Sequence, residues 1–179
     1  MFLLIFGLLT VLPVYLDEEF GLRAGGRGLV LALPAATSTL GALSIGRLTR
    51  RTGTSTVVLT GLVAVAAGLG LVAAVPALAA VAAGLAVYGA GEGLLVATLQ
   101  DAVAGEAPPE SRGAVVATWV GFARVGQTAG PVLAGTGLVA GARWTFGVAS
   151  AAPALVAAGH RQLLGADRRG AVAGGDGCA

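Results

Sequence analysis

Six apolar runs, separated by short links that hold nearly all the charge, constrain this chain more than any other feature. They cover residues 1–16, 28–45, 56–75, 77–99, 114–139 and 144–159, and only two ionisable residues, Glu92 and Arg124, fall inside them. Runs of that length and polarity suit helices that cross a hydrocarbon core about 30 Å thick. Composition agrees, with 56% hydrophobic and 11% charged residues, against roughly a quarter charged in a soluble domain. The expectation is an all-α membrane protein: six transmembrane helices over residues 1–163, then a disordered cytoplasmic tail over residues 164–179, which shows no periodicity. The first run does not read as a secretory signal. It has no basic leader, contains Pro13, and is followed by Asp17, Glu18 and Glu19 instead of a small-residue cleavage site. Its sixteen residues reach only about 24 Å, so it either borrows residues 17–20 or belongs to a longer span.

The links decide orientation. Residues 46–53, GRLTRRTG, carry Arg47, Arg50 and Arg51 between Gly46 and Gly53 and read as a tight turn. Residues 21–27 (GLRAGGR) and 100–113 (QDAVAGEAPPESRG) read as longer loops. With six spans, Arg47, Arg50, Arg51, Arg112, Arg161, Arg168 and Arg169 fall on one side, and Arg23, Arg27 and Arg143 on the other. Positive residues in short loops stay inside, so both termini are expected in the cytoplasm, with the chain as a multi-pass protein of the cell membrane. The formal charge is only +2, and the arginines sit at span ends instead of forming one basic face, so nucleic acid is not an expected partner.

GRLTRRTG also resembles the loop signature of the major facilitator superfamily, with Gly46, Arg51 and Gly53 on the pattern and Arg50 where an acid usually stands. That substitution is common in the second copy of the signature, in the C-terminal half. VYLDEEFGL (residues 14–22), APPESRG (residues 107–113) and RVGQTAGPVLAG (residues 124–135) are similar, in that order, to segments of the same half. The resemblance covers residues 1–160. It implies half of a transporter bundle built as a 3+3 inverted repeat, which moves a small solute by alternating access. It also implies a partner, either a second six-helix half or another copy of this chain. The first run opens at Met1 with no basic residue before it, which is expected of a chain cut from something longer. A non-transporting membrane fragment or a structural membrane protein is the alternative.

Within the spans, Gly126 and Gly130 are four apart and are followed by Pro131 and Gly135, a pattern that lets another helix backbone approach. Gly89 and Gly93, in GAGEG, are read the same way, since no strand precedes them as a dinucleotide loop requires. Glu92 is expected about 12 Å and Arg124 about 16 Å from the inner end of their spans, close enough in depth to pair. The pair either holds two helices together or serves transport, with Glu92 as a protonatable coupling group, Arg124 as its partner or an anion anchor, and Gln127 beside the polar path. Tyr15, Tyr88, Trp119 and Trp144 read as interface or packing aromatics, and His160 as a contact to a helix C-terminus. One His, one Cys (Cys178) and scattered Ser offer no nucleophile with its base and no metal cluster, so no enzyme, cofactor or metal ion is expected.

Overall fold

The structure, a computed structural model, describes residues 2–175, with side chains through residue 161. Cys178 and the side chains of Arg168 and Arg169 lie outside the described residues. Among the described residues six helices make up the fold: α1 (Phe2–Phe20), α2 (Ala24–Thr52), α3 (Thr54–Ala74), α4 (Leu78–Glu106), α5 (Arg112–Leu138) and α6 (Ala142–Gly175). α6 thus continues into the stretch expected to lack regular structure, and residues 176–179 lie outside those described. By length and composition α2, α3 and α4 are able to cross a membrane. α1 ends in three acids, and α5 carries Arg112, Arg124 and Gln127.

The helices run further than the loop-like composition of the links suggests. α1 takes in the acidic turn, so its 19 residues reach about 28 Å, and it stops at Gly21, at φ 59°, whose N–H is on the Asp17 carbonyl. GRLTRRTG is not a loop either. Leu, Arg and Thr break no helix, and arginines favour a helix C-terminus, so the segment forms the end of α2. Gly53 alone stands between α2 and α3, at φ 83° with its N–H on the Thr49 carbonyl. At the next link α4 runs to Glu106 and ends where Ala107, preceding Pro108, turns extended.

Partners are not sequence neighbours. α1 packs along α5, α2 along α4, and α3 along both α4 and α6, whereas α1·α2, α2·α3, α4·α5 and α5·α6 touch only slightly. Exchanging the first three helices with the last three turns α1·α5 into α4·α2 and leaves α3·α6 unchanged. The exchange also reverses direction, because consecutive helices alternate. It fails at one place: α3·α4 is extensive and its counterpart α1·α6 slight. A short link holds α3 against α4, while glycines on both sides (Gly61, Gly68, Gly84, Gly91) each face the partner backbone or a buried side chain. Between α1 and α6 an apolar cavity of about 270 Å³ remains, bordered by Leu4, Gly7, Leu69, Phe146 and Ala149.

The core joins Leu8, Leu12, Tyr15 and Leu16 of α1 to Leu69 and Val72 of α3, Leu85 and Tyr88 of α4, and Phe146 of α6. Tyr15 meets Phe146 and Phe20 edge-to-face at 5.4 and 5.7 Å. α3 and α6 are pinned at both ends. Ser55 and His160 share a 2.7 Å hydrogen bond, and the Arg143 guanidinium donates to the Ala73 and Ala74 carbonyls at 2.9 and 3.0 Å. Those carbonyls belong to the last turn of α3, which has no helical donors left for them. Arg143→Ala is therefore expected to lower stability in detergent by about 1 kcal/mol, read as a fall in the unfolding midpoint. Arg143→Lys should recover less than half of that, since an ammonium lacks the two-pronged donor.

Candidate functional site

The α2·α4 seam creates the only place among the described residues where an acid sits inside the helical body. Gly89 faces the Pro34 carbonyl and the Thr37 hydroxyl, Gly93 faces the Ser38 carbonyl, and Gly41 lies where a Cβ would come within 2.5 Å of the Ala90 carbonyl. Any side chain at these positions would hold the two backbones apart. Their closeness sets Ser38 of α2 beside Glu92 of α4, and Tyr88 lies one turn before Glu92 on the same face. Ile5, Leu8 and Leu9 of α1 close the third side, leaving a cavity of about 320 Å³.

Glu92 stands at the midpoint of α4, fourteen residues from either end. Its depth exceeds the 12 Å expected, because α4 continues six residues beyond Gln100. The residue is half-buried, and Tyr88 is 1% exposed with a hydroxyl that has no hydrogen-bond partner. Pro34, buried on the opposite wall, lacks the N–H that would satisfy the Val30 carbonyl one turn back. The cavity thus joins one carboxylate, the Ser38 hydroxyl, the Tyr88 ring and an aliphatic wall at mid-height. Such a set can hold a proton or a cation.

The structure does not bring Glu92 and Arg124 together. The two are at similar heights, but α4 and α5 barely touch. α5 turns Ala123, Gly130 and Ala134 inward, and Arg124, about 100° further round the helix, is exposed and donates to Oε1 of Gln127 at 3.1 Å. With Thr128 it borders a shallow groove on the outside of α5. Among the described residues the ion pair within 4.0 Å is Arg27–Asp17, at 2.8 Å, which ties the start of α2 to the end of α1. Among those residues no three His, Cys, Asp or Glu side chains are placed to hold a metal ion together.

The remaining residues singled out from the sequence sort by position. Gly126 and Gly130 face Leu3 of α1, where a Cβ would come to 3.0 Å from its N and 2.5 Å from its O. Pro131 lies within α5 beside this seam. Gly135 is not in the seam, since five residues beyond Gly130 it has turned by roughly 140°, and a Cβ there would meet nothing within 4 Å. Gly46, Arg47, Arg50 and Arg51 are exposed at the end of α2, more than one turn beyond the cavity. Ser38 and Tyr88 were not legible as site residues from composition, Tyr88 reading as a packing aromatic. The four-residue spacing of Tyr88 and Glu92 was the available signal.

A family model described as Major Facilitator Superfamily matches residues 1–169. No curated protein and no solved structure matches the chain.

Proposed function

The chain belongs to the major facilitator superfamily, a family of secondary transporters and not of enzymes, and on that premise we propose that its six helices cross the membrane as one wall of an alternating-access path for a small solute. A second six-helix unit, joined or separate, supplies the other wall. The reading takes the arrangement as the C-terminal type of half, with the Arg47, Arg50 and Arg51 end in the cytoplasm of a cell-membrane protein.

One observation carries it: a carboxylate at the midpoint of α4 opens into a cavity bounded by α1 and α2 whose wall is otherwise mainly aliphatic. An acid at that depth costs about 3 kcal/mol on insertion scales, so it is kept where it works or where it is paired, and Glu92 has no cation within 4.0 Å among the described residues. The exchange relation between the two sets of three helices supports a bundle that rocks as a body. Arg124 and Thr128, exposed on α5 with the half-buried Gln127 beside them, support a wet or protein-covered face there.

In this reading Glu92 is the group whose protonation couples to solute movement. Glu92→Gln is expected to abolish proton-dependent solute movement in proteoliposomes, followed with an internal pH dye, while membrane insertion and elution from size exclusion stay unchanged. Loss of folded protein in that variant, in step with the loss of transport, would assign Glu92 to structure instead.

A further inference from the structure

Resting on that transport reading, we infer that the cavity between α1, α2 and α4 takes a small organic ammonium ion, held by Glu92 with Ser38 against the Tyr88 ring. Charge is the first argument. The cavity contains a carboxylate, and the basic side chain nearest in height, Arg124, lies on another face and is engaged by Gln127. A carboxylate in a low-dielectric setting repels anions and attracts a cation able to enter with it.

The polar inventory narrows the class. The Tyr88 hydroxyl is buried without a partner, and Ser38 stands beside the carboxylate. An ammonium N–H donated to Glu92 and a second to the Ser38 oxygen would satisfy groups that are otherwise costly to bury, while the Tyr88 ring forms part of the wall and its hydroxyl stays buried behind it. A hard metal cation wants six or more oxygens around it, and this cavity offers two carboxylate oxygens and the Ser38 hydroxyl from its side chains. A sugar or other polyol would bury more hydroxyls than these two polar side chains can match. The rest of the wall, including Ile5, Leu8 and Pro34, suits the alkyl or aryl part of an amine. At about 320 Å³, the space lies at the small end of ligand sites.

The test is calorimetric titration of the full chain, purified in detergent at neutral pH, with benzylammonium, and in parallel with benzyl alcohol and benzoate of the same shape. Saturable binding of benzylammonium, at least tenfold tighter than either control, is expected. Glu92→Gln should weaken it at least tenfold and Ser38→Ala about threefold or more, the second variant keeping the small side chain that the α2·α4 seam requires. Equal binding of benzyl alcohol or benzoate, undiminished binding by Glu92→Gln, or no binding of benzylammonium would overturn the assignment. The two readings fail separately. Glu92-dependent, proton-coupled movement of a neutral or anionic solute would leave the transporter and remove the ammonium site, whereas Glu92-dependent amine binding by a chain that moves nothing would do the reverse.

Discussion

Gly93→Val is expected to release α2 from the bundle and leave little folded protein. The position has no slack: a Cβ on Gly93 would fall onto the Ser38 carbonyl, and one turn earlier a Cβ on Gly89 would fall onto the Pro34 carbonyl. Both obstacles are backbone, which cannot rotate away as a side-chain tip can. α2 also has little else to hold it, since Pro34 and Gly41 are its buried residues and both belong to this seam. Overpacking usually costs about 1–3 kcal/mol because neighbours adjust; here the adjustment is separation of two helices, so the upper end or more is expected. The reading is the monodisperse fraction on size exclusion in detergent together with the unfolding midpoint, both falling sharply. Gly135→Ala is the matched control. Its Cβ meets open space, and replacing a helical glycine by alanine should add up to about 1 kcal/mol. A Gly93→Val chain with normal yield and midpoint would show that α2 and α4 are not in this register, and the cavity beside them would fall with it.

What the sequence made legible, and what it hid, follows from which quantities are local. Apolar runs mark helices because burial and length are properties of a segment, and six such runs correspond to six helices among the described residues. Link boundaries are hidden because Arg, Ala and Leu at 46–52 and 100–106 are helix formers whatever their polarity, so charge does not mark where the helix ends. The four-residue spacing of Gly126 and Gly130 places both on one face without reference to a partner, and both meet α1. Which helix that partner is, α1 and not the adjacent α4 or α6, is non-local. Depth along a helix is legible by counting, and it sets Glu92 and Arg124 at comparable heights. Direction around the axis depends on which face each helix buries, and there Glu92 turns toward α1 and α2 while Arg124 turns outward.

That outward direction makes Arg124→Leu the most informative change for how the bundle is used. Twelve residues from the start of α5 and exposed, Arg124 would, in the proposed six-span arrangement, stand at mid-height on a surface that meets either lipid or something more polar. On insertion scales arginine at a helix centre costs about 2.5–3.5 kcal/mol and leucine gains a few tenths. If that face meets lipid, the substitution should therefore stabilise the protein in a bilayer by about 3 kcal/mol. If it lines the water-filled path or meets a second six-helix unit, leucine relieves no such cost. The Gln127 contact shows the guanidinium partly satisfied within its own helix, and the groove beside it is otherwise lined mainly by Val125, Val132 and Leu133. A charged group among exposed aliphatic side chains suits a face covered by another helical unit. The expected outcome is an unfolding midpoint in lipid bicelles unchanged to within about 1 kcal/mol, since a surface substitution in a polar setting moves stability little, combined with a loss of solute movement in proteoliposomes. A gain near 3 kcal/mol would instead put Arg124 in the hydrocarbon, and the path would then have to run along α1, α2 and α4 alone, with Glu92 as the single charge that lines it.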